Sequence, residues 1–120
     1  MSLVDRLRAL RRSRDDIQAE DEVRSAAGRG TIPIGGLQPR SRARVSGVLQ
    51  AVTYRPAADA PVLVGRLFDG TGSVDLVWLG RRTIVGVDPG THLEAEGMVV
   101  AGRTRPTIFN PAYVIIGGTA

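Results

Sequence analysis

The fold of this chain is decided by the stretch Leu67-Phe68-Asp69-Gly70-Thr71-Gly72-Ser73-Val74. A run of apolar residues enters an Asp-Gly-Thr-Gly turn, and a second run with partly alternating polarity leaves it. Asp-Gly supplies the positive φ that tight hairpin turns need. The stretch therefore predicts a β-hairpin in which Asp69 forms the turn and accepts hydrogen bonds from backbone N–H groups.

Further strand-like segments lie on both sides of this hairpin. We expect strands at 43–54, 61–68, 73–79, 92–102 and 108–116. Gly47 and Pro111 fall inside the first and the last of them, where each predicts a bulge, a bend or an edge. Five short strands with a connector between the third and the fourth are typical of the OB fold, a five-stranded Greek-key barrel. The predicted fold class is therefore all-β.

The first 42 residues differ from the rest in composition. Residues 3–24 are predicted to form a charged amphipathic helix, because Leu3, Leu7, Leu10 and Ile17 recur at helical spacing. Residues 25–42 are rich in Gly and Pro, as linkers are, and Ile32, Ile34 and Leu37 could pin this segment to the barrel. We thus expect an N-terminal helix at 1–24, a linker at 25–42 and an OB-fold domain at 43–117.

The composition favours a polyanionic partner. The formal charge is +4, and all sixteen basic residues are arginine, whose planar guanidinium suits phosphates and stacks on bases. Codon usage in a GC-rich genome is the alternative cause of this bias. The absence of cysteine excludes disulfides, zinc–thiolate sites and thiol nucleophiles. Since neither a membrane-spanning run nor a signal-peptide core is present, we expect a cytoplasmic protein without a membrane partner.

Four motifs carry a resemblance to a known family. They are Val45-x-Gly47-x-Leu49, the hairpin stretch 67–74, Pro89-Gly90-x-His92-Leu93-x-Ala95-x-Gly97 and Phe109-Asn110-Pro111-x-Tyr113. In them the chain resembles a bacterial stand-alone OB-fold nucleic-acid-binding protein, similar to the wedge domain of the branch-migration helicase RecG, to anticodon-binding domains of class II aminoacyl-tRNA synthetases and to single-stranded DNA-binding proteins. The resemblance implies binding of single-stranded or branched nucleic acid, although some relatives bind only protein.

The arginines lie in the regions that border an OB-fold groove, namely strand two, the loops after strands one and four, and the ends of strands one and three. The candidate phosphate-binding residues are Arg44, Arg55, Arg66, Arg81, Arg82, Arg103 and Arg105. The alternative is a set of scattered, solvated charges.

The candidate stacking residues are Tyr54, Phe68 and Trp78. Alternation on strand two places Leu67 inward and both Arg66 and Phe68 outward. Alternation on strand three places Trp78 in the core unless a bulge turns it out. One of the two aromatic residues that flank Pro111, Phe109 or Tyr113, is also expected in the core.

No pattern indicates an enzyme. The single histidine, His92, has no acid or nucleophile at a recognisable spacing, and a metal site would need clustered carboxylates or histidines. Glu94 and Glu96 are expected to form a solvated strand face. We therefore expect no catalytic residue, no cofactor and no metal.

The sequence thus predicts binding of single-stranded or branched DNA, or RNA, without strong sequence preference, through arginine–phosphate contacts and aromatic stacking. An alternative is a protein-interaction module in which residues 3–24 dock a partner or a second copy. A third interpretation is oligosaccharide or small-ligand binding, which would favour exposed Trp and Tyr and depend little on salt.

Overall fold

The computed structural model describes residues 30–56 and 60–117, which form one six-stranded sheet preceded by a 3-10 turn at Ile34–Gly36. The strands are β1 (Arg42–Arg55), β2 (Val62–Phe68), β3 (Ser73–Leu79), β4 (His92–Val100), β5 (Thr107–Phe109) and β6 (Ala112–Gly117). The predicted helix at 3–24 and the linker before residue 30 lie outside the described residues. Within the described ranges, no helix has the length and hydropathy needed to cross a bilayer.

Strand pairing closes five of the strands into a ring. β1 pairs with β2, and β2 with β3, in antiparallel fashion. β3 then pairs in parallel with β5, and β5 pairs antiparallel with β4. β4 returns to β1, again antiparallel. The ring closes because β1 is long enough to serve two partners, with Arg42–Val48 opposite β4 and Val48–Arg55 opposite β2.

The irregularity of β1 lies at a different residue from the predicted one. Its register shifts between Leu49 and Ala51, whereas the sequence pointed to Gly47. Gly47 has another function, because a Cβ there would lie 2.5 Å from the carbonyl oxygen of Phe68. Only a glycine allows the end of β2 to approach β1 this closely.

The predicted fifth strand is divided into β5 and β6, so the expectation of five strands is corrected to six. Asn110 has a φ of 48°, a left-handed conformation that asparagine tolerates better than most residues. Its N–H donates to the Val77 carbonyl at 2.6 Å, and its Oδ1 accepts from the Leu79 N–H at 3.0 Å. Pro111 follows without a donor, and β6 then resumes pairing with β4.

The ring encloses the hydrophobic core. The inward side chains of all the ring strands are buried, among them Val45, Leu49, Leu63, Leu67, Val74, Leu76, Leu93, Val99 and Ile108. Ile34 and Leu37 from the segment before β1 join them, whereas Ile32 stays exposed. Of the three residues expected to pin this segment, two therefore do so.

Asp69 joins the hairpin turn to the 3-10 turn. Its Oδ1 accepts from the N–H of Thr71 at 2.9 Å, from the Thr71 hydroxyl at 2.6 Å and from the N–H of Gly72 at 3.3 Å. Its Oδ2 accepts from the N–H of Ile34 at 2.9 Å. The predicted turn-forming role is confirmed, and the bond to Ile34 adds a long-range contact that hairpin chemistry alone does not require.

Candidate functional site

One side of β2, β3 and β5 faces away from the core. Successive side chains of a strand point to opposite faces, so the residues that alternate with the buried ones form this outer surface. In the sheet register Val64 lies opposite Val77, and Val77 opposite Phe109. In the next row Arg66 lies opposite Asp75, and Asp75 opposite Thr107. The outer face thus has an apolar row beside a charged row.

The loop between β4 and β5 borders this face and turns it into a groove of about 590 Å³. The loop lines the groove from Ala101 to Arg105, and Arg55 reaches it from the end of β1. Apolar side chains form much of the floor: Val62, Val64, Val77, Leu79 and Phe109. A cleft of this size is in the range of small-ligand sites and is open along the sheet, as an extended ligand requires.

Four of the predicted arginines surround the groove. Arg55, Arg103 and Arg105 line it directly. Arg66 lies in an adjoining recess of about 50 Å³ that shares Arg55, Asp75 and Arg105 with the groove. Because Asp75 is the one acid that lines either space, these five side chains carry a net charge of +3. The structure brings these arginines together from four separate parts of the chain.

Arg105 is held in place by Asp75. Its Nη1 lies 3.1 Å from one carboxylate oxygen of Asp75 and 3.3 Å from the other. Both side chains are about a quarter exposed. The pair fixes the guanidinium at the wall of the groove and offsets part of its positive charge, while at least one edge of the guanidinium remains open to solvent.

Arg66 is less fully satisfied. Its Nε is buried and has no hydrogen-bond partner among the residues that the structure describes. Buried polar groups in proteins are almost always paired, so an unpaired donor beside a charged groove is a candidate contact for a ligand acceptor.

Phe109 is an aromatic residue of the groove that the sequence did not single out as a site. Ile108 points into the core, so its neighbour Phe109 points outward, where half of its surface is exposed. Tyr113 is also partly exposed, and the expectation that one of these two rings would be in the core is wrong. Alternation around Ile108 is the signal that could have identified Phe109, but it depends on knowing that the strand begins at Thr107.

Arg44 lies elsewhere and is corrected as a groove residue. It is on the half of β1 that pairs with β4, where its Nε is 3.4 Å from Glu94 and its Nη2 3.6 Å from Glu96. Arg42 makes a further ion pair with Glu96 at 3.4 Å. Glu94 and Glu96 are therefore engaged with arginines rather than only solvated, and this face of the ring is close to neutral.

The predicted stacking residues are not brought to the groove. Trp78 is only 5% exposed, and its ring packs edge-on against Tyr113 with centroids 5.7 Å apart, so it offers no open face to a base. Tyr54 is exposed but lies opposite Leu63, on the inward side at the end of β1. Phe68 points outward as predicted, is half-buried and does not line the groove.

Arg81 and Arg82 are exposed in the loop after β3 and do not line the groove. In the part of the chain from 30 to 56 and from 60 to 117, no group of three or more His, Asp or Glu side chains is placed to hold a metal ion.

Comparison with solved structures identifies the architecture. The second OB-fold domain of replication protein A from Methanococcus maripaludis, solved by NMR, superimposes with a TM-score of 0.58 at 20% identity, over 74% of this chain and 97% of that one. The chain has an OB fold. A crystal structure of a replication protein A domain from the same organism gives a TM-score of 0.62 at 18% identity, over 72% of this chain and 96% of that one.

A larger protein contains a similar domain. RecG bound to a three-way DNA junction matches with a TM-score of 0.60 at 19% identity, over 69% of this chain. The match spans 12% of the RecG chain, so the likeness is to one part of that protein. No family model matches the sequence, and no curated protein matches it. At these identities the likeness concerns the fold, and the OB-fold matches suggest nucleic-acid binding in general terms.

Proposed function

We propose that the groove of this OB fold binds single-stranded or branched nucleic acid without strong sequence preference. The observation that carries the proposal is the grouping of Arg55, Arg66, Arg103 and Arg105 around an apolar floor that bears one exposed aromatic ring. Single strands bind to proteins through this combination of a basic track and a stacking platform. Domains of RecG and of replication protein A share the fold.

The chemistry of binding follows from the two rows of the outer face. The guanidinium groups contact phosphate oxygens, with Arg66 Nε gaining the acceptor that it lacks within the described residues. The ring of Phe109 stacks on a base, and Leu79 and Val64 cover the edges of that base. Most contacts are thus to the backbone, which carries no sequence information, and stacking tolerates every base.

The double substitution Arg55→Ala/Arg103→Ala is expected to weaken binding about tenfold near 50 mM salt and to reduce the log–log salt slope by about 1.4, since each lost phosphate contact on a single strand removes about 0.7. The measurement is fluorescence anisotropy with a labelled single-stranded oligonucleotide, titrated at several salt concentrations. Both side chains lie at the groove edge, so folding should be unaffected.

The matched control is Arg81→Ala/Arg82→Ala, which removes the same charge from an exposed loop outside the groove. It should change the affinity by less than about twofold, through the general field alone. Equal losses in the two double variants would contradict the assignment of the groove. Absence of binding by the unaltered protein at low salt would end the nucleic-acid proposal altogether, because screening is weakest there.

Asp75→Asn should tighten binding about two- to fivefold at low salt, because it removes a negative charge from the groove and releases Arg105 from its bidentate pair. The stability cost should stay below about 1 kcal/mol, since the pair is partly exposed. Asp88→Asn, at an exposed turn that does not line the groove, is the control for net charge. Weaker binding by Asp75→Asn would mean that positioning Arg105 matters more than its charge.

The sequence-based alternative, in which residues 3–24 dock a protein partner or a second copy, concerns residues outside the described ranges and stays a prediction.

A further inference from the structure

β6 exposes an unusual amount of apolar surface. Four consecutive residues of this strand are exposed, with Val114 at 66%. These residues are Tyr113, Val114, Ile115 and Ile116. Val85 extends the patch, because it is 96% exposed and its neighbour Gly86 lies directly against the Ile115 side chain. Single exposed apolar residues are common on protein surfaces, whereas contiguous ones mark an interaction site.

The outer edge of β6 is also open. Among the described strands β6 pairs only with β4, so the backbone groups along its other edge have no strand partner there. Soluble proteins usually protect such an edge with a charged side chain, an internal proline or a bulge. The segment 112–117 has no charge and no proline, and its only register shift is at its last residue. This edge is therefore built to accept another strand.

We propose that β6 pairs antiparallel with β6 of a second copy of this chain, so that two rings form a two-fold symmetric dimer. An antiparallel strand is complementary to itself, since its N–H and C=O groups meet the same groups of the symmetry mate. Addition of a strand to an open edge is a common mode of recognition. A six-residue strand of about 20 Å supplies a continuous ladder of this kind.

The distribution of the apolar side chains favours a strand as the occupant over a helix. Tyr113 and Ile115 lie opposite Ala95 and Leu93, on the core side of the sheet, while Val114 lies opposite Glu94 on the outer side. A helix formed by residues 3–24 would cover one of these sides and leave the backbone edge unpaired. A second β6 pairs the edge and places apolar residues against apolar residues on both sides.

The charges favour a second copy over an oppositely charged partner. The chain as a whole is basic, with a formal charge of +4, so most approaches of two copies are repulsive. The β6 side is the exception, because β6 is uncharged and Arg42 and Arg44 nearby are paired with Glu94 and Glu96. β6 shares no residue with the groove, so this proposal does not rest on nucleic-acid binding.

The test is the mass of the full chain in solution, measured by light scattering after size exclusion at micromolar concentration. We expect twice the single-chain mass of 12.8 kDa. The double substitution Val114→Lys/Ile116→Lys should return the mass to that of one chain, since it places two charges in each half of the interface. Met98→Lys, at an exposed apolar position of β4 opposite Arg42, is the matched control and should remain dimeric.

A single-chain mass for the unaltered protein would overturn the proposal. A dimer that survives Val114→Lys/Ile116→Lys would do the same, and loss of that dimer with Leu7→Lys/Leu10→Lys would assign it to residues 3–24. Hydrogen exchange of the unaltered protein gives a second readout that does not depend on a variant folding. The outer-edge amides of 112–117 should exchange faster on dilution, and exchange that is independent of concentration would contradict pairing through β6.

Discussion

Replacing Asp69 by alanine should lower the free energy of unfolding by about 3 kcal/mol, because a buried carboxylate that accepts several hydrogen bonds is removed and its donors are left without a partner. The side chain is 1% exposed. It holds the N–H groups of Thr71 and Gly72 in the hairpin turn and the N–H of Ile34 in the segment before β1. The substitution should therefore loosen two parts of the chain at once.

The measurement is chemical or thermal unfolding followed by circular dichroism, with a loss of about 10 °C in the midpoint expected for a domain of this size. Asp88→Ala, at the exposed Asp88-Pro89-Gly90 turn, is the control and should change stability by less than about 0.5 kcal/mol. Thr71→Ala should fall between the two, since it removes one bond to Asp69 and one from the N–H of Gly35. A loss below 1 kcal/mol for Asp69→Ala would show that Asp69 is not the main link between the turn and the segment before β1.

Phe109→Ala should weaken single-strand binding about tenfold while leaving the salt slope unchanged, because stacking on one base contributes about 1–3 kcal/mol and involves no counterion release. The ring is half exposed in the groove, so its removal should have a small effect on stability. Affinity measured by anisotropy at several salt concentrations separates this effect from that of the arginine substitutions, which change the slope.

Two variants sharpen this prediction. Phe109→Trp keeps an aromatic face and should retain or improve affinity. Leu79→Ala removes a side chain of similar exposure from the same groove but without a π face, and should cost less than Phe109→Ala. If Leu79→Ala and Phe109→Ala weaken binding equally, the floor acts through apolar contact and not through stacking. If neither weakens it, the nucleic acid does not occupy the floor of the groove.

The parts of the fold that sequence reasoning recovered are those controlled by neighbouring residues. The hairpin around Asp69 and Gly70 follows from turn chemistry, and β3 has its predicted ends. The division of the last strand was signalled only in part, because Pro111 predicts a break but not that Asn110 would continue the pairing with β3 first.

The site was recovered less completely, because it depends on which strands become neighbours. The parallel pairing of β3 with β5 brings Asp75 opposite Thr107 and Val77 opposite Phe109, although each pair is more than thirty residues apart in the chain. Arg44 and Arg55 lie on the same strand, yet β1 changes partner between them, so one faces glutamates and the other the groove. No local pattern contains this information.

The sequence by itself determined the all-β class, the hairpin, the supply of arginines and the outward direction of Arg66 and Phe68, since these follow from short-range sterics and strand periodicity. The tertiary structure decided which arginines meet, that Trp78 is buried while Phe109 is exposed, and that β6 is left as an open edge. The physical reason is that a closed ring gives each strand two neighbours, and only the long-range register selects the side chains that share a face.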